Sequence, residues 1–429
     1  MTDYKKSAKY LLNFLDKFKL EIEDQIQILS LRPKLNSTLQ SNFDGDFDFL
    51  IRETDFQKVL EILYDLSKNL GINFELNQRA QNKKLFTFFI EDIDALSLTL
   101  EFWINIEFSC KKKRFFFSGQ DIYDAIEFYN TSAFEILSLL FITHLNHKNK
   151  NIDSEENIFR FEFFLNNLSK ENQTPQNLNT ISLLQKTRDK LLTKQDANIR
   201  ALKILNNYQI KDSSSFIQML TYFKYRIRNK FLNLKKITPI IGPDGVGKGS
   251  VSEKSLIKLT KWSSFRFKQL YRLKLFYRLR LSLLANSKKE PKNKSDEKIG
   301  YYIFIVAFLI IRALCILKSN RILLDRYFTD YFASPIRYLA KNKSPAKLGF
   351  YKSLLFFTPV PNHTVFLGCS DASLISRKNE LPIISVDYLQ KLNCEFIVYK
   401  KAPKVLFIST ENQTDITSEV LFRYLKNNK

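Results

Sequence analysis

Residues 4–29 repeat their apolar positions at helical spacing, and the chain then changes period. Phe47 to Ile51 reads as a short strand behind an acidic turn. Thr54 and Gln57 have the spacing of a capping box, which predicts a helix to about Leu70. Three β-rich runs follow, at 72–78, 84–91 and 96–108. The last alternates: Leu98, Leu100, Phe102, Ile104 and Ile106 fall on one face, and Thr99, Glu101, Trp103, Asn105 and Glu107 on the other. This predicts a small α+β unit ending near Gly119. From Gln120 to Lys236 the pattern is mostly helical, with polar breaks at 146–157 and 169–177. From Ile237 it reads strand, glycine loop and helix. A basic aromatic segment (265–284), a polar loop (286–298) and an apolar helix (300–317) follow. Short strands are expected at Ile322–Leu324, Thr364–Leu367 and Val405–Ile408. Strands alternating with helices predict an α/β fold with a parallel sheet. The expected division is 1–119, a small α+β domain; 120–236, a helical segment; and 237–429, an α/β domain. No internal repeat is visible.

Composition narrows this picture in three ways. With 45% hydrophobic and 26% charged residues, a packed core is affordable and wholesale disorder is excluded. The net charge of +23 points to acidic partners, namely nucleotides, nucleic acid or an anionic surface. The lysines are spread along the chain and no recognition motif accompanies them, so nucleic acid is not the expected partner. Cys110, Cys315, Cys369 and Cys394 lie far apart, which suggests neither a zinc site nor a disulfide framework. The first residues carry no secretory signal pattern, so a cytoplasmic setting is expected. The apolar stretch 300–317 is nearly long enough to span a bilayer, but Arg312 interrupts it, and a buried helix is the preferred reading.

The strongest chemical signal is IIGPDGVGKGS, residues 240–250. Gly242, Gly247 and Lys248 have P-loop spacing, after an apolar strand and before a helical run. Of the 10 glycines in the chain, four stand at 242, 245, 247 and 249. Glycines allow positive φ and close backbone approach, and N–H groups at a helix start then point at phosphate. The reading gives Gly242, Asp244, Gly245, Gly247, Lys248, Gly249 and Ser250 to ATP. Gly249-Ser250 is similar to the adenylate kinase loop, and Asp244 to thymidylate kinase loops. Ser250, or water in its place, would complete the shell of a Mg²⁺ ion.

A second motif, Asp325-Arg326-Tyr327, ends the apolar strand Ile322–Leu324. A carboxylate at that end of a strand near a P-loop suits Mg²⁺ or its waters, and an adjacent arginine can clamp a phosphate. The stretch 325–338 resembles the thymidylate kinase-like proteins often encoded with bacterial surface-polysaccharide genes. Asp325, Arg326, Tyr327, Asp330, Pro335, Arg337 and Tyr338 match their pattern, and Arg377-Lys378-Asn379-Glu380 resembles their lid. The resemblance covers about 225–429. It implies Mg-ATP-dependent phosphoryl transfer, with Lys248, Asp325, Arg326 and Arg377 as catalytic residues and Arg326, Tyr327, Arg337 and Lys378 on an anionic substrate. The acceptor would be a nucleoside monophosphate or a phosphorylated sugar. Thymidylate kinases are commonly dimers, so the same resemblance suggests a homodimer.

Residues 42–51, NFDGDFDFLI, put Asp46 and Asp48 two apart on a strand, so both project from one face. Glu101 lies on the polar face of a later strand. The element resembles the Gly-Asp-x-Asp of polymerase-β-like nucleotidyltransferases, which implies metal binding and catalysis by Asp46, Asp48 and Glu101. It departs from that pattern in two places: Asn36-Ser37 stands where a Gly-Ser pair is usual, and Glu101 where Asp is usual. His144 and His147 read as structural. A rival reading is an ATP-binding module that transfers nothing and acts as a regulator or scaffold. A third is a basic protein peripheral to a membrane.

Overall fold

A computed structural model describes residues 2–31, 46–78, 83–92, 96–110, 113–171, 174–208, 210, 233–234, 236–242, 245–259, 262–266, 321–325, 360–377 and 403–427. Among these residues ten α-helices and a ten-stranded mixed sheet make an α/β fold.

Helix α1 (Thr2–Glu23) buries Leu11, Phe14, Leu15, Phe18 and Ile22, the spacing of one apolar stripe. The two-residue strand β1 (Leu29–Ser30) edges β2 (Asp46–Leu50). A 3₁₀ turn, Glu53–Asp55, leads into α2 (Phe56–Leu70), which ends on Gly71 at φ 68°. The expected capping box is not made. Thr54 lies inside the 3₁₀ turn rather than in the extended conformation that an N-cap needs, and the Gln57 amide donates to Glu61 at 2.8 Å instead. Strands β3 (Asn73–Asn77), β4 (Lys83–Phe89) and β5 (Leu98–Trp103) follow. The long alternating run divides at Ile104. Beyond it, β6 (Asn105–Cys110) leaves the main sheet to form a hairpin with β7 (Lys113–Ser118). Leu98, Leu100, Phe102 and Ile104 therefore join the core under α1 and α2, while Ile106 joins a separate one.

That separate core belongs to the helical part. Helices α3 (Gly119–Phe128), α4 (Ala133–His147), α5 (Glu155–Lys170), α6 (Pro175–Arg188) and α7 (Lys194–Asn207) each start after a Ser or Thr whose hydroxyl accepts a backbone N–H. Ile136, Leu140, Phe161, Leu184 and Ala201 pack at its centre, with Leu50 and Phe117 entering from the strands. His144 and His147 occupy the last turn of α4.

The last part holds β8 (Asn233–Leu234), β9 (Ile237–Ile241), α8 (Lys248–Ile257), β10 (Trp262–Arg266), β11 (Arg321–Asp325) and β12 (Val360–Pro361). It ends with β13 (His363–Gly368), α9 (Asp371–Arg377), β14 (Lys404–Ser409) and α10 (Thr414–Asn427). Strands β14, β13, β9, β11 and β10 lie side by side and are all parallel. Pro239 interrupts the donors of β9, and its ladder to β13 registers only at Ile240 and Ile241.

The sheet does not stop at β14. This strand pairs antiparallel with β3, from Lys404 opposite Asn77 to Phe407 opposite Phe74, and the order runs β1-β2-β5-β4-β3-β14-β13-β9-β11-β10. Side chains of β14 alternate between two cores. Val405 and Phe407 face the core of α1 and α2, and Leu406 and Ile408 face that of α8 and α10. Tyr64 of α2 packs its ring 5.5 Å from Phe366 and 5.2 Å from Phe407, while Phe74 stacks on Phe407 at 4.9 Å. Ion pairs Lys404–Glu75 (3.0 Å) and Arg423–Asp92 (3.1 Å) flank the seam. The first and last parts of the chain thus share one sheet and one core.

Among the described residues no helix is long and apolar enough to cross a membrane. The apolar stretch 300–317 and the polar loop 286–298 lie outside them.

Candidate active site

Strand β9 is the pivot of the parallel half. The chain places β11 and β10 on one side of it and β13 and β14 on the other, so the strand order reverses there, and open α/β sheets bind ligands beyond the carboxyl ends at such a point. The glycine loop starts at that end. Gly242, Gly245 and Gly247 take φ values of 149°, 92° and 89°, conformations that favour glycine. A Cβ on Gly242 would collide with the carbonyl oxygen of Leu367, so β13 presses on the first turn of the loop. At Gly247 and Gly249 a Cβ would meet nothing within 4 Å, so the loop opens outward there.

Gly247 is the N-cap of α8 and offers no side-chain cap to the first N–H groups of the helix. Lys248 is only 8% exposed, and its Nζ donates to the Gly242 carbonyl at 2.6 Å, spanning the loop from within. Ser250, in the first turn of α8, is exposed. The helix is fixed from behind, because Ser255 donates to the carbonyls of Val251 (2.7 Å) and Ser418 (3.0 Å). Asp325 ends β11, and its backbone pairs in register with Ile240, just before the loop. A dipole-bearing helix start, a buried lysine, a hydroxyl and an acidic strand end suit a nucleotide polyphosphate with a divalent cation.

Beside this loop lies a second cluster that sequence spacing did not flag. Arg377, expected to close over the phosphates, instead donates to the Thr410 carbonyl at 2.7 Å and its hydroxyl at 3.2 Å. Glu411 caps the start of α9, accepting from the Ser370 N–H and, at 2.6 Å, from the Ser373 hydroxyl. Burial pushes its carboxyl up, but the Ser373 and Ser370 hydrogen bonds outweigh this and hold it below the usual carboxylate range. Burial pushes the neighbouring Cys369 thiol up. The signal for this cluster was only the adjacency of the β13 and β14 ends, which sequence does not print.

In the first part, β2 and β5 are parallel and put Asp48 directly opposite Glu101, and Asp46 opposite Thr99. The expected sharing of one sheet face by these positions is therefore formed by the backbone. Asp48 and Glu101 are buried. Glu101 pairs with Lys83 at 2.7 Å, and Asp48 accepts from the Trp103 indole at 3.0 Å. Among the described residues no trio of His, Cys, Asp or Glu side chains converges to hold a metal. Asp244, Arg326, Tyr327, Arg337 and Lys378 lie outside the described residues, as do Asp330, Pro335 and Tyr338.

No family model matches the chain, and no curated protein sequence does. Two solved structures of deoxyadenosine kinase from M. mycoides are similar to 44% of the chain, over 99% of their own, at 18% identity. One holds dCMP and a flexible dCDP and superposes with a TM-score of 0.34; the other holds dATP, with a TM-score of 0.31. Likeness at that level decides neither fold nor activity, so the functional reading rests on the loop's own geometry.

Proposed function

We propose that the chain is a Mg-ATP-dependent phosphotransferase of the P-loop kinase class. One observation carries the reading: a glycine loop with Lys248 held inside it, at the carboxyl end of the pivot strand of a parallel sheet. The loop's N–H groups and the start of α8 would bind the phosphates, and the Lys248 ammonium would move from the Gly242 carbonyl to the β and γ phosphates. Ser250 and Asp325 would hold the Mg²⁺ ion, which when bound screens charge on the transferring group. The acceptor's oxygen would attack the γ phosphorus, with ADP as the leaving group. Arg326, Tyr327, Arg337 and Lys378 are proposed to meet an anionic acceptor, a nucleoside monophosphate or sugar phosphate. The Arg377–Thr410 contact supports a different task for Arg377, fixing the wall beside the loop until a nucleotide arrives.

A surface-polysaccharide role follows only from the sequence resemblance and is proposed on that basis alone. The first part is proposed to have a nucleotidyltransferase-like architecture, supported by the pairing of Asp48 with Glu101.

The test is transfer from labelled Mg-ATP to a panel of nucleoside monophosphates, sugar phosphates and deoxynucleosides, with Lys248→Ala as control. A labelled product lost in the variant supports the reading. ATP binding without any product moves the chain to the rival class, a regulatory ATP-binding module.

A further inference from the structure

The sequence resemblance asks Asp46, Asp48 and Glu101 to hold divalent metal in the first part of the chain. Among the described side chains of that face, Asp48, Glu101, Lys83 and Trp103 are arranged for something else. Strand β4 runs antiparallel to β5 and sets Lys83 opposite Trp103. From there the Lys83 ammonium reaches back to Glu101 Oε1 at 2.7 Å and lies 4.9 Å from the centre of the Trp103 ring. The Trp103 indole N–H in turn donates to Asp48 Oδ1 at 3.0 Å. Glu101, Lys83, Trp103 and Asp48 form one connected strip across three strands, with the Glu101 carboxylate 8% exposed and Lys83 31%.

A divalent ion bridging Asp48 and Glu101 would need their oxygens at about 2.0–2.1 Å, and Trp103 and Lys83 already hold Asp48 Oδ1 and Glu101 Oε1, with Asp48 Oδ2 buried beside them. It would also stand against the half-buried Lys83 ammonium, a like charge. An ammonium neutralises a carboxylate, but it carries half the charge of Mg²⁺. It also lacks the open coordination positions through which a two-metal site activates a hydroxyl and steadies a leaving phosphate. The Lys83 ammonium lies over the Trp103 ring, whose face favours cations, and beside Glu101, so two partners hold it.

We infer that Lys83 is a tethered cation standing where the resemblance would put a divalent ion, so that this face needs no metal and carries no two-metal nucleotidyl transfer. The strip instead ties β2, β5 and β4 together by charge. This inference does not depend on the kinase reading, because it concerns the chain without nucleotide.

The test is a Mn²⁺ titration of the nucleotide-free full chain, followed by electron paramagnetic resonance, counting only ions lost in Glu101→Gln. The wild type is expected to show none at 1 mM-range Mn²⁺, about the order of weak carboxylate sites. Lys83→Met, which keeps an unbranched apolar side chain and removes the charge, is expected to gain one ion that Glu101→Gln then removes. Wild-type Mn²⁺ that vanishes in Glu101→Gln overturns the inference without any Lys83 variant. A Lys83→Met or Lys83→Gln chain that melts as the wild type does and still binds nothing overturns it as well.

Discussion

Gly242 and Gly249 belong to the same glycine motif but face opposite surroundings. Gly242 holds φ 149° with the Leu367 carbonyl against it, so Gly242→Ala adds both strain and a collision. The expected cost is about 1–3 kcal/mol of stability with loss of ATP binding, read by denaturant unfolding and calorimetry. Gly249 lies within α8 with open space beside it, and Gly249→Ala should raise stability by about 0.5–1 kcal/mol in the same unfolding experiment. Lys248→Ala should lower transfer by about 10²–10³-fold, the scale for losing one charge-stabilising donor. At the start of α9, Glu411 titrates below its ordinary value of 4.5 in the folded chain. Its contribution is therefore present above pH 4.5 and is lost as pH falls through the lower, folded value. Glu411→Gln should flatten that acid limb in a series of melting curves. The glycines, Lys248 and the Asp48–Glu101 pair were legible from local spacing, because each lies on one element or on strands whose alternation shows a face. Lys83, Glu411 and the Thr410 partner of Arg377 were not, because they are fixed by strand register and by the meeting of β13 with β14.

Among the elements, the helical part was the most legible. Its five helices begin after Ser or Thr caps that sequence prints directly; the breaks near 148–154 and 171–174 fall where expected, while those at 129–132 and 189–193 were not expected. Thr54 shows the limit of that logic: the right residue at the right spacing, but enclosed in a 3₁₀ turn. Thr174, by contrast, accepts the Asn177 N–H at 3.1 Å with Pro175 following it. Thr174→Ala should cost about 1 kcal/mol and Thr54→Ala under about 0.5, compared by chemical denaturation. A larger loss at Thr54 would mean that the 3₁₀ turn itself depends on that hydroxyl. The split of the alternating run at Ile104 was hidden because both strands keep the same period, and only the change of core, from Ile104 to Ile106, separates them.

For the whole molecule, the sequence divides where the sheet does not. Each part has its own composition and motif, yet Phe407 of the last strand stacks on Phe74 of the first part and lies beneath Tyr64. Cutting the chain at residue 236 would expose this aromatic seam on both fragments and leave β3 and β14 as bare edges. The fragment 237–429 is therefore expected to aggregate or bind a hydrophobic dye, and the mixed fragments to regain solubility together. Phe407→Ala should cost about 3–5 kcal/mol and weaken ATP binding while Lys248 stays in place. A 237–429 fragment that is soluble and binds ATP as the full chain does would refute the shared-core account.

The seam between β3 and β14 also has a history each time the protein is made. Glu75 and Lys404, its flanking partners, are 329 residues apart. At about 5–20 residues per second of synthesis, roughly 15–65 s pass between their appearances. Throughout that interval the ribosome carries a nascent sheet whose β3 margin has no neighbour, with Phe74 waiting for its stacking partner. The order of the chain thus leaves the β3 edge of the growing polypeptide open to mispairing until β14 has been made.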